Sequence, residues 1–220
     1  MKNLFTKLSV CLLMASSLFL TSCSTNSDEV LTVGEKKATL EGSTAKALPD
    51  LYEYRKYVFV RPKGAAGNGH VGVGFELRAR ISGRTYLTYY CGAVEGTNGW
   101  FGIPNAYIAP GTVNGGWNTS NSTQQLMFSE FRGQRNYTFY KSTQYAVTTL
   151  AASNLAKNFL INFQYRGYAV ASNNCMNACF DVLNALGGSN ANPSVPTQYR
   201  PNDWYNSLTA SRGWSATSSL

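Results

Sequence analysis

Apolar and polar residues alternate with a period of two along His70-Val71-Gly72-Val73-Gly74-Phe75-Glu76-Leu77-Arg78. Side chains in a strand point alternately to its two faces. Val71, Val73, Phe75 and Leu77 therefore share one face, and His70, Gly72, Gly74 and Glu76 share the other. Ser82-Gly83 supplies a tight turn, so residues 84–94 return as the second arm of a hairpin. Residues 57–60 read as a short strand closed by Arg61-Pro62, and residues 128–141 as further strand. Ser142 or Thr143 can cap a helix with Val147, Leu150, Ala151, Leu155 and Phe159 on one side. In SNNCMNACFDVLNALGG (172–188), Met176, Cys179, Phe180, Leu183 and Leu186 form a helical apolar stripe that Gly187-Gly188 ends. A short helix around 204–208 follows Pro193, Pro196 and Pro201. The pattern predicts an α+β domain in which an antiparallel sheet packs against the cysteine-bearing helix.

The first residues form a different kind of segment. Lys2 and Lys7 precede an apolar run over residues 8–20, and Leu20-Thr21-Ser22-Cys23 resembles the lipobox cut by bacterial lipoprotein signal peptidase. The expected division is a signal peptide over 1–22, a lipidated Cys23 with a flexible tether over 23–47, a folded domain over 48–210 and a tail over 211–220. Every Tyr and Trp lies beyond Leu48. Ser24 after the cysteine resembles outer-membrane sorting, and Ser27-Asp28-Glu29 resembles the acidic tags of surface-exposed lipoproteins. An outer-membrane anchor on the periplasmic or cell-surface side is the expectation.

Losing residues 1–22 removes Lys2 and Lys7 and lowers the formal charge from +8 to +6. The remaining basic residues are scattered, and no Lys/Arg block or nucleic-acid motif appears. Exported location and scattered charge argue against nucleic acid as a partner and suit an envelope polymer or lipid. One His, with no fitting Cys, Asp or Glu spacing around it, argues against a metal site, and no cofactor is implied.

The chemistry concentrates at two places. Asn173 or Asn174 can cap the helix, which places Cys175 in its first turn. Unpaired backbone N–H groups and the helix dipole there stabilise a thiolate, and the same N–H groups could bind a developing oxyanion. Of the cysteines outside the signal and the lipid site, Cys91, Cys175 and Cys179 remain. Cys175 and Cys179, four apart on a helix, lie too far apart to bridge each other. A disulfide would have to include Cys91. Gly72 and Gly74 mark close approach by another element. A helix packing there could bring a side chain to His70, the only histidine. A Cys–His pair would let the imidazole take the thiol proton and return it to a leaving group.

His70-Val71-Gly72-Val73-Gly74 and Asn173-Asn174-Cys175 together resemble the circularly permuted NlpC-like thiol hydrolases, papain-like enzymes whose histidine strand precedes the cysteine helix. The likeness extends to Tyr168 before the cysteine segment, Leu-Gly after the helix and the Pro-rich end with Trp204. It implies Cys175 as nucleophile, His70 as base and a third polar residue orienting the imidazole. A two-residue turn at Ser82-Gly83 pairs positions that sum to 165 and sets Glu95 opposite His70. Asn98 is an alternative. Glu76 shares the His70 face but lies about 20 Å along the strand. Relatives of this fold cleave peptidoglycan peptides, hydrolyse other amides or move acyl chains between lipids. The implied activity is acyl transfer through a thioester, by a monomer held to the membrane through Cys23, with Asn174, Trp100, Tyr107 and Trp117 as substrate contacts.

Two other readings compete. A non-catalytic member of the same fold would bind glycan or peptide through a groove lined by Trp100, Tyr107 and Trp117. An unrelated surface lipoprotein would carry a structural cysteine and hold His70 far from Cys175.

Overall fold

The structure is a computed structural model that describes residues 49–94, 107–108, 116–133, 135–169, 172–188, 192–195 and 200–220. Its centre is the hairpin of β2 (His70–Ile81) and β3 (Arg84–Ala93). Ser82 and Gly83 both take positive φ, 49° and 77°, as a tight two-residue hairpin turn requires. Ile81 faces Arg84, and the register holds without a bulge to Val73 opposite Gly92, as the turn predicted.

The strand expected over 57–60 is part of a longer one, β1 (Leu51–Arg61), antiparallel to β2 from Leu51 opposite Arg80 to Arg61 opposite His70. The sheet grows outward in the order β5 (Trp117–Asn121), β3, β2, β1, β6 (Phe139–Ser142), β9 (Ser218–Ser219). β7 (Ala146–Thr148) also pairs with β1, and β4 (Tyr107–Ile108) pairs apart from the main sheet with β8 (Tyr168–Ala169). Most of the segment expected as a tail belongs to the fold: Trp214 is buried and β9 extends the sheet.

The two faces of the sheet carry different helices. Tyr54, Val58, Val60, Val71, Val73 and Phe75 pack against α2 (Leu150–Ile161), α3 (Cys175–Ala185) and α4 (Pro201–Asn206). Tyr57, Phe59, Cys91 and Ala93 pack against Met127 and Phe131 of α1 (Gln124–Arg132) and against Tyr137. All the buried residues of both clusters lie between Tyr54 and Trp214, and residues 45–220 form a compact unit of their own. Each large apolar side chain removed from water here contributes about 1.5–3 kcal/mol.

Two expected elements differ from the structure. Residues 124–132 form a helix, not a strand: Thr123 caps it, accepting from the Leu126 N–H, and Met127 and Phe131 lie one turn apart on its buried side. α2 begins later than expected, capped by Thr149, and buries Ser153, Ala156 and Leu160. Leu150 and Leu155, expected inside, are exposed, and Val147 stands 69% exposed on β7.

Candidate functional site

His70 opens β2 and is buried. The chain reaches it through a tight loop. Gly69 has φ +91°, and a side chain there would collide with Asn202. Asn202 donates to the carbonyls of Pro62 and Gly67, so the start of α4 clamps the loop. The imidazole lies 5.9 Å from the Tyr137 ring, and a side chain on Gly64 would strike the His70 Cβ. Nε2 is buried without a hydrogen-bond partner. Burial, with the Arg61 guanidinium nearby, pushes the imidazole pKa down to about 3. His70 is therefore held in its neutral form at neutral pH.

Cys175 is the first residue of α3, as the sequence predicted, and it is buried. Arg166 holds the approach: it bonds to Asn173 Oδ1 at 2.8 Å and to Asp181 at 2.8 Å. Asn174 then caps the helix. Its Oδ1 accepts from the N–H groups of Met176 and Asn177, while Asn177 Oδ1 accepts from the Asn174 N–H. This reciprocal box satisfies first-turn donors that an oxyanion would need. Asn174 thus serves the helix through its side chain.

The structure does not join Cys175 to His70. Gly187, just beyond α3, accepts from Tyr54 Oη at 3.3 Å and Lys56 Nζ at 2.6 Å, and these residues sit opposite Leu77 and Phe75 of β2. The hairpin beyond Ala79 is exposed, so α3, about 16 Å long, runs back toward the start of β2. Cys175 belongs to the cluster on the Val71 face, whereas the His70 ring contacts Tyr137 of the cluster on the other face. The helix that exploits the glycines is α1: side chains on Gly72 and Gly74 would meet Phe131 and Met127 at 2.5 and 2.8 Å. The expectation of a close-packed helix on this face holds, and its corollary, a cysteine delivered to the imidazole, does not.

Cys91 lies in the α1-face cluster and the other two thiols in the opposite one, so the sheet separates them. All three are thiols and buried, which removes the Cys91–Cys175 bridge as a way of spending the nucleophile. Burial pushes the Cys91 and Cys179 pKa values upward.

Two of the remaining candidates, Tyr107 and Trp117, lie on strands of the structure. Tyr107 pairs with Ala169, whose N–H bonds to the Asn173 carbonyl, so β4 lies beside the segment leading to Cys175. Trp117 sits on the other face, 5.0 Å from Phe131 and with the Arg135 guanidinium 3.9 Å over its ring. Cys23, Glu95, Asn98 and Trp100 lie outside the described residues.

Two buried charged groups bond to partners that the sequence reading did not anticipate. Glu76, on the glycine face, accepts from Tyr57 Oη at 3.4 Å and from Tyr145 Oη, with Gln124 donating in turn to Tyr57. Arg78 lies 3.8 Å over the Tyr145 ring. An acid among inward-facing strand positions was the available signal. Lys56 is buried within the α3 face, bonded to Gly187 O and Asn192 Oδ1, and burial lowers its pKa to about 8. Among the described residues no three His, Cys, Asp or Glu side chains gather as a metal site would need, and no helix is long and apolar enough to cross a membrane.

Comparison with protein-family models, with curated proteins and with solved structures finds no match for the chain.

Proposed function

We propose that this chain is an envelope lipoprotein, anchored through Cys23, whose domain binds an envelope glycan or peptide without turning it over. The observation that carries the reading is the placement of Cys175 and His70 on opposite faces of one sheet. The Asn174 cap adds to it, because first-turn N–H groups already have partners. Ligand contact falls to Trp100 and Tyr107, the latter on the strand that β8 holds beside the Cys175 approach.

A second reading keeps Cys175 as the nucleophile of a hydrolase or acyltransferase. It is favoured by one specific feature, a free thiol on the first residue of a capped helix. That chemistry requires the Asn174 cap to open and the start of β2 to turn its imidazole across the sheet.

One experiment separates them. The domain is treated with iodoacetamide at about pH 6, where ordinary thiols react slowly, and the labelled cysteines are mapped. The binding reading expects Cys175 to stay unlabelled until the protein unfolds, in wild type and His70→Ala alike. Fast labelling of Cys175 that His70→Ala abolishes would overturn it in favour of the hydrolase. Sedimentation with purified peptidoglycan, lost in Trp100→Ala/Tyr107→Ala, is the matching test of binding; no retention of the wild type would remove peptidoglycan as the ligand.

A further inference from the structure

The far half of the β2–β3 hairpin projects beyond both cores. From Arg80 to Leu87 every residue is exposed, including Ile81, Tyr86 (50%) and Leu87 (43%). Strand alternation puts Ile81, Arg84 and Tyr86 on one side of this arm and Arg80 and Leu87 on the other. No acid occurs between Leu77 and Val94. Arg78, at the root, is occupied by Glu53 at 3.6 Å and by the Tyr145 ring. Arg80 and Arg84 have no ion-pair partner among the described residues; Asp50, which precedes the Leu51 paired with Arg80, makes no ion pair either.

The arm also lies where the chain enters the sheet. Leu51, the first residue of β1, is paired with Arg80. If residues 23–47 act as the tether their composition implies, a chain of that length from Cys23 to Leu51 would have an r.m.s. reach of about 30 Å, and a lipid at Cys23 would keep this end at high local concentration beside a bilayer.

We propose that the arm, residues 80–87, docks on the anionic headgroups of the membrane to which Cys23 is attached. The arm enters turn-first, so that Ile81 and Tyr86 on one side and Leu87 on the other reach the interfacial region while Arg84 and Arg80, on those same two sides, meet lipid phosphates. Contact of this kind holds the domain against the bilayer in one orientation. The proposal rests on the lipid-anchored reading of Cys23 and is independent of whether Cys175 is reactive.

The test uses residues 24–220, since both cores lie within this part of the chain. Thr85→Cys, exposed beside the turn, is labelled with an environment-sensitive fluorophore, the native cysteines being buried. Vesicles of phosphatidylcholine, alone or with about 30% phosphatidylglycerol, are titrated to millimolar lipid. The expected result is a blue shift with the anionic vesicles, quenched by brominated acyl chains and weakened on the order of tenfold by Arg80→Glu/Arg84→Glu, whose fold is checked by circular dichroism. No shift at millimolar anionic lipid, or a shift that charge reversal leaves unchanged, overturns the proposal. Retention on purified anionic glycan with no response to vesicles also overturns it and assigns the arm to a polymer. Mass analysis of the Cys23 peptide from cells tests the anchor separately, so failure of one reading is not mistaken for failure of the other.

Discussion

His70 offers the sharpest quantitative test, because the chain has one histidine and its resonances need no assignment. Its folded pKa is about 3 against an ordinary 6.5, a consequence first of burial and then of the Arg61 charge. The unfolded chain therefore binds the extra proton across that window. Stability is fully present above pH 6.5 and is lost as pH falls toward 3. At 1.36 kcal/mol per unit, a gap of this size amounts to about 3 kcal/mol lost by pH 4 and nearly 5 at the limit. Carboxylates titrate in the lower part of the same range, so the readout is a difference. Urea unfolding from pH 7 to 4 is compared between wild type and His70→Gln, which fills similar space and does not titrate. The variant's stability should fall less steeply, by about 3 kcal/mol over the window. In the folded wild type the imidazole carbon protons should keep their neutral shifts down to about pH 4. Titration near 6.5 together with parallel stability curves would refute the sealed, neutral imidazole.

Three further outcomes follow from single side chains. Gly72→Ala drives a Cβ to 2.5 Å from Phe131 and 3.2 Å from the Gly92 carbonyl, so overpacking should cost about 1–3 kcal/mol, read as a lowered Tm; an unchanged Tm would mean that α1 does not pack on that face. Asn174→Ala strips the cap of α3 and should cost about 1 kcal/mol in urea unfolding, whereas no loss would contradict the reciprocal box. Lys56 has a folded pKa of about 8 against 10.5, so the unfolded chain holds the extra proton between them and wild-type stability should gain about 3 kcal/mol as pH rises through that window. The rise should be absent in Lys56→Met, and identical curves for the two proteins would sink it.

The hairpin register was legible because three local signals agreed: the period-two alternation, Ser82-Gly83 at the turn and apolar residues on one face only. The cap and start of α3 were legible for the same reason, with Asn174, the apolar stripe and Gly187-Gly188 all marking one helix. The site failed at a different level. Residues 128–141 contain β-favouring aromatics and were read as strand, although Thr123, Met127, Phe131 and Gly133 mark a helix by cap, one-turn spacing and stop. With 128–141 taken as strand, the only well-marked helix available to cover Gly72 and Gly74 is the one carrying Cys175. The face of a sheet that a helix covers is a tertiary property: the glycines announce that something packs closely, and their lack of a side chain leaves nothing to say what. Phe131 and Met127 fill that space, and with it the place beside the His70 face where the thiol was expected. A pair of short motifs thus specifies local geometry at each residue but not the side of the sheet on which each one lands. That is why the His70 titration and the Cys175 labelling carry more weight for function than the spacing of either motif.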